Sequence, residues 1–230
     1  MTRTARELLE STTAELAPDS HANRLLPLIA RGAARRDTLA ALALEQRHVI
    51  AADLRAFRHL AARPAGEGLS AGPECAAFFG MLAEGEELAR DRLGAFAAAC
   101  GVDPAREAAY EPLADCQTYP AYVAWLALNG SPAEVVLALS ANFAAWGGYC
   151  ATIAEALRRH YGFDDEACGF FDLFAEPSAG LDRRALAAVA AGLGTGRLNE
   201  HEAHRHGRLL QTYETRFWHA LWERDQRSAP

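Results

Sequence analysis

Five polar residues sit on otherwise apolar stripes of this 230-residue chain. Leu39, Leu42, Gln46, Val49, Asp53, Phe57 and Leu60 recur at intervals of three or four, which puts Gln46 and Asp53 on the core face of a helix. Val135, Leu139, Asn142, Trp146, Tyr149 and Ile153 enclose Asn142 in the same way, and Leu210, Glu214, Phe217 and Leu221 enclose Glu214. Glu86 lies between Leu82 and Leu93. Burying such a group without a partner costs about 1–3 kcal/mol. Either these groups satisfy one another across the core, or they converge with Tyr119, Tyr122, Trp146, Phe174 and Trp218 on a small-molecule pocket between helices. In such a pocket a carboxyl walled by aromatic rings has a raised pKa and suits proton transfer, which is the chemistry open to Glu214.

Other reactive groupings are weaker. Glu45 and His48 form a Glu-x-x-His pair, but a di-iron site needs a second such pair, and the sequence reads as a solvated i,i+3 pair. His201, His204 and His206 with Glu200 and Glu202 invite zinc, yet the residue four after His201 is Arg205, and a charged first turn explains the run. Gly192, Gly194 and Gly196 follow a helix rather than a strand, so they form a linker and not a dinucleotide loop. No serine has an evident His/Asp partner. The sequence contains no lysine, which excludes Schiff-base chemistry and a P-loop.

Cys75, Cys100, Cys116, Cys150 and Cys168 are odd in number and widely spaced, suggesting neither disulfides nor a zinc ribbon and fitting a reducing cytoplasm. A net charge of -7 argues against nucleic acid as partner. No apolar run approaches the roughly 18 residues of a membrane span, and the start MTRTARELLEST is charged where a signal peptide is hydrophobic. The expectation is a soluble cytoplasmic protein with no membrane partner.

These side chains must be positioned by helices, because alanine dominates and strand-like alternation is missing. A first helix is expected near 4–16. Ser20 opens a stretch that stops at Gly32, Asp37 opens one that ends before Arg63 and Pro64, and Pro73 opens one that Gly101 closes. Ser131, Pro132 and Glu134 read as an N-cap, a first-turn proline and a capping-box partner for a helix to about Tyr161 and Gly162. Shorter helices follow near 164–174 and 181–193, and Asn199 caps a last one to about Glu223. The 64–73 stretch is short enough for a loop, so eight or nine helices in one all-α domain, 1–230, are expected.

The segment TYPAYVAWLALNGSPAEVVLALSANFAAWGGY resembles the TenA family, thiaminase II and its relatives, as does the ending QTYETRFWHAL. RLLPLIARGAARRDTLAALALEQ is similar to that family's N-terminal region. The resemblance is collinear over nearly the whole chain and implies the heme-oxygenase-like multi-helix bundle, with a homodimer or homotetramer. It puts Tyr119 and Glu214 on the ligand-holding tyrosine and glutamate of thiaminase II. It also puts Asn142 on that enzyme's nucleophilic cysteine and Gln46 on its aspartate. An amide is no covalent nucleophile, so ordinary thiaminase II chemistry is not expected. Cys150, two turns further on, reads as an inert core thiol. HYGFDDEACGFFDLFAEPSAGLDRRAL resembles metal-dependent oxidases of the same fold, but Phe174, Ser178 and Leu181 stand where those relatives carry iron ligands.

The reading is a TenA-like enzyme without metal or cofactor, acting on a small planar, nitrogen-containing molecule. Glu214, Tyr119 and Asn142 are the catalytic candidates; Gln46, Tyr122, Trp146, Phe174, Trp218 and Glu86 are the ligand-binding ones. Two alternatives stand beside it. One is a cofactor-independent oxidase similar to pyrroloquinoline-quinone synthase, the other a non-catalytic small-molecule-binding or regulatory protein.

Overall fold

A computed structural model describes residues 3–19, 22–63 and 72–227 of the chain. Ser20 and most of the 64–73 stretch lie outside them. Among the described residues there are ten α-helices and no strand: α1 (Ala5–Glu15), α2 (Leu26–Ala30), α3 (Arg36–Ala62), α4 (Gly72–Ala99), α5 (Pro104–Ala108), α6 (Thr118–Asn129), α7 (Pro132–Ala156), α8 (Asp165–Ala175), α9 (Ala179–Gly194) and α10 (Glu200–Arg227). The count exceeds the sequence expectation because α5 is a short turn with little periodicity to read and α6 carries no clear boundary signal, while α2 occupies only the end of the stretch expected to stop at Gly32.

Local chemistry accounts for the boundaries. Thr4 and Glu7 close a reciprocal capping box that starts α1. Gly101, at φ 78°, ends α4 in the left-handed conformation that glycine adopts without steric cost. Asn199 Oδ1 accepts from His201 N at 3.0 Å and opens α10 as its type suggests. The expected box at α7 is altered: the Ser131 hydroxyl donates to the Arg197 carbonyl at 2.8 Å, and the Glu134 carboxylate accepts from Asn199 N at 3.0 Å. Those two residues therefore tie the start of α7 to the loop before α10. The last turn of the expected helix, Leu157–Tyr161, is a π-turn that Gly162 ends at φ 71°.

The long helices α3 and α4 pack along each other, antiparallel, with Phe57 against Phe79. Helix α7 packs on α1, α2, α8, α9 and α10. Contrary to the sequence expectation, Pro132–Tyr161 is long and apolar enough, by length and composition, to cross a membrane. Here it serves as a core helix with Val135–Leu139 fully buried. Gly192 lacks the Cβ that would stand 2.6 Å from the Ala133 Cβ, so α9 can press against the start of α7. That contact, rather than a linker role, explains the first glycine of the 192–196 run; Gly196, at φ 66°, makes the turn.

Two hydrophobic clusters form the core. One gathers Leu39–Ile50 of α3, Ala89–Ala97 of α4, Cys150–Ala156 of α7, Phe170 and Phe171 of α8, and Phe217–Leu221 of α10. The other gathers Leu54–Leu60 of α3, Phe78–Ala83 of α4, Val123–Ala127 of α6, Val135–Leu139 of α7 and Leu210 of α10. Each long helix passes from one cluster to the other, and its polar core residue stands at the crossing: Asp53 on α3, Glu86 on α4, Asn142 on α7 and Glu214 on α10. On α6, Tyr119 stands between Cys116 of the 3₁₀ turn before that helix, in the first cluster, and Val123 in the second. The polar residues thus occupy one seam, and the apolar stripes on either side hold it in place.

Candidate functional site

A continuous hydrogen-bonded chain runs across the seam. The Tyr119 hydroxyl donates to Asn142 Oδ1 at 3.1 Å, and Asn142 Nδ2 donates to Glu214 Oε2 at 2.6 Å. Trp218 Nε1, one turn along α10, donates to Glu214 Oε1 at 3.3 Å. The three residues named as catalytic from sequence are therefore in direct contact, although they come from α6, α7 and α10. Both amide groups of Asn142 are engaged, so the side chain is fixed and the amide assignment follows from its neighbours.

Aromatic rings cover one flank of Glu214. Trp146 lies 6.1 Å from Trp218 and 5.7 Å from Phe174 between ring centres, and Tyr149 meets Trp218 edge-on at 5.7 Å. Phe174 reaches Trp146 because α8 comes close at Gly147, where a Cβ would be 3.1 Å from the Phe174 carbonyl. Burial in this setting pushes the Glu214 carboxyl from 4.5 up to about 7, and the Trp218 and Asn142 bonds hold it back from rising further. Burial, then the negative charge of Glu214, pushes the Tyr149 phenol up to about 12 and holds the Cys150 thiol well above its usual range. Cys150 is therefore a protonated, fully buried thiol.

On the other flank stand Asp53 and Glu86. Burial drives Asp53 well above the ordinary carboxylate range, with the charge of Glu86 adding to it, and burial alone brings Glu86 to about 8. Tyr119 joins the two flanks: burial raises its phenol well above 10, and Asp53, Glu214 and Glu86 each push it further. Asp53 stands on the same stripe as Gln46, seven residues away, and both are buried. The stripe pattern revealed Asp53 as a core residue; what the sequence does not tell is that Glu86 and Tyr119 face it from other helices.

Tyr122 is placed differently from the expectation. Its hydroxyl is 3.0 Å from His206 Nδ1, and its ring stacks on Trp125 and tilts against Tyr213. His206 is 3% exposed and its Nε2 is 4.0 Å from Glu134. Burial lowers the His206 pKa and raises that of Glu134. One turn from Tyr119 on α6, Tyr122 thus belongs to a Tyr-His-Glu group that locks α6, α7 and α10. The histidine run is also not merely a solvated turn: His204 binds Thr12 at 2.9 Å and Glu15 at 3.2 Å, docking α1, while His201 is exposed.

Glu45, read as solvated, is fully buried. Its carboxylate accepts from the Tyr110 hydroxyl and Leu113 N, each at 2.7 Å, and from Gln117 Nε2 at 2.8 Å. It shapes the 110–117 segment that leads into α6, and His48 beside it is exposed. Among the described residues no three His, Cys, Asp or Glu side chains are grouped so as to hold a metal ion. A surface groove of about 620 Å³ opens elsewhere, between Pro73, Met81 and Gly180.

No protein-family model and no curated protein matches the sequence. Solved structures do match. A domain of unknown function with a heme oxygenase-like fold from Shewanella denitrificans OS217 superposes with a TM-score of 0.69 at 14% identity, over 96% of this chain and 93% of that one. The fold is heme-oxygenase-like. A TenA homologue protein from P. horikoshii OT3 shares it, with a TM-score of 0.65 at 13% identity over 95% of this chain and 96% of that one. The heme-oxygenase-like bundle is thus kept over nearly the whole length at an identity where few side chains coincide. Heme itself, which the name of the fold evokes, is not matched by the network around Glu214. That network has no histidine, His206 is turned to Tyr122, and the Tyr119 hydroxyl and Cys150 thiol keep their protons.

Proposed function

We propose that the chain is a TenA-like enzyme that binds a small planar, nitrogen-containing molecule in the seam between its two cores, with Glu214 as general acid/base. One observation carries the reading: Glu214, with a pKa near 7, is held on both oxygens by Asn142 and Trp218 beside an aromatic wall. Glu86, Tyr119 and Glu214 each keep accessible surface although burial dominates their ionisation. That combination supports an internal recess in place of bulk solvent. Trp146 and Phe174 would cover the ring of the ligand.

In this reading Glu214 takes or gives a proton at a ring or amine nitrogen, Asn142 fixes the carboxyl, and Tyr119 fixes Asn142. The likeness to the TenA homologue supports the family assignment. The amide at 142 supports a reaction without a covalent enzyme intermediate.

Calorimetric titration with 4-aminopyrimidine tests the site. Binding by the wild type and a loss of at least tenfold in Glu214→Gln are expected; equal affinity in the two proteins would overturn the assignment.

A further inference from the structure

Asp53 Oδ1 is buried without a hydrogen-bond partner, and the residue is 3% exposed. An acceptor left this way costs about 1–3 kcal/mol, and more if it is charged. Such a group calls for an explanation from outside the chain's own contacts. Its surroundings say what would fit. The charge of Glu86 on α4 acts on it, and Asp53, Glu214 on α10 and Glu86 all act on Tyr119 of α6. The Asn142 amide on α7 already gives its N–H to Glu214 and accepts from Tyr119 with its oxygen. Basic side chains are not among the groups that act on Asp53, Glu86 or Glu214. Two carboxyls, Asp53 and Glu86, therefore share apolar surroundings with no positive charge to offset them. The aromatic faces of Trp146 and Trp218 at the other end favour cations too.

We propose that Asp53, with Glu86, anchors a cationic nitrogen group, so that the molecule taken into the seam is a planar organic cation of the amine or amidine type. The inference rests on the Glu214 reading and adds the ligand's charge and a second anchoring point. The N–H groups of the cation donate to the unpartnered Asp53 Oδ1, and its charge offsets the desolvation of the carboxylate. Protons kept by the acid pair in the free protein then leave, so cation binding is coupled to proton release.

Benzamidine tests this as a planar cation, with benzamide as its neutral counterpart of the same shape and benzoate as the anion. By calorimetry the wild type is expected to bind benzamidine at least tenfold more tightly than benzamide and to show no heat with benzoate. Asp53→Asn and Glu86→Gln should each weaken benzamidine tenfold or more and weaken the neutral benzamide far less, so that the preference for the cation is lost. Should Asp53→Asn fail to fold, Glu86→Gln carries the comparison. Titrations in two buffers of different ionisation enthalpy should reveal about one proton released per cation bound. Equal binding of benzamidine and benzamide, affinity unchanged by the substitutions, or no proton release would overturn the proposal. These results leave the Glu214 assignment to its own titration with 4-aminopyrimidine.

Discussion

Asn142 Nδ2 stands 2.6 Å from Glu214 Oε2, joining the middle of one core helix to the middle of another at the level where both leave one hydrophobic cluster for the next. The contact satisfies two groups that would otherwise be buried alone, and it sets the basicity of the carboxyl. Several measurable consequences come from it.

Replacing Asn142 by alanine removes a donor to Glu214 and an acceptor for Tyr119 together. Thermal or urea unfolding should show a loss of about 1–3 kcal/mol. Because the Asn142 bond lowers the Glu214 pKa, the pKa should rise further in this variant. Trp218→Phe should do the same to the pKa with a smaller loss of stability, since the ring packing against Tyr149 and Phe217 is retained. A Glu214 pKa that drops in either variant would contradict the geometry.

Stability should fall as the pH rises from about 4.5 to 8. Glu214, at about 7, and Glu86, at about 8, stay protonated in the folded protein where the unfolded chain, near 4.5, is ionised. The unfolded state then binds fewer protons, so the contribution of these groups is complete below 4.5 and is lost through the folded pKa values. Melting temperatures across this range should decline less steeply in Glu214→Gln and Glu86→Gln. Slopes identical to the wild type would argue that both carboxyls are ionised in the fold.

Glu45→Ala should separate structure from site. Without the carboxylate, Tyr110, Leu113 N and Gln117 lose their acceptor, and a cost on the order of 3 kcal/mol is expected in denaturant unfolding. At temperatures where the variant is folded, 4-aminopyrimidine should bind to it as to the wild type. A selective loss of binding with unchanged stability would move Glu45 into the site.

Gly192→Ala puts a methyl group against Ala133 at the closest approach of α9 to α7. Overpacking at such a contact costs about 1–3 kcal/mol. Gly194→Ala, where nothing lies within 4 Å, should be neutral or slightly stabilising, and the two melting curves make the comparison.

Much of this arrangement was legible in the residue pattern. The 3/4 spacing around Asn142 and Glu214 places both on core faces, and the Pro132 and Asn199 signals locate two of the helix starts that bring them together. Periodicity identifies a face without telling which helix it meets. Tyr122 therefore read like Tyr119, although one turn on α6 directs it to His206, which comes from a run that looked like a charged first turn. Glu45 read as solvated because its partners, Tyr110, Leu113 and Gln117, lie in a segment without regular spacing. The Asp53–Glu86 pairing depends on the antiparallel register of α3 and α4, which no local signal encodes.

The most direct measurement is the Glu214 pKa itself, read by carbon NMR of the protein labelled at glutamate side-chain carboxyls, with Glu214→Gln assigning the resonance. A titration midpoint near 7 is predicted. A midpoint at the ordinary value near 4.5 would mean that the carboxyl is solvated, and the site described between the two cores would not exist in solution.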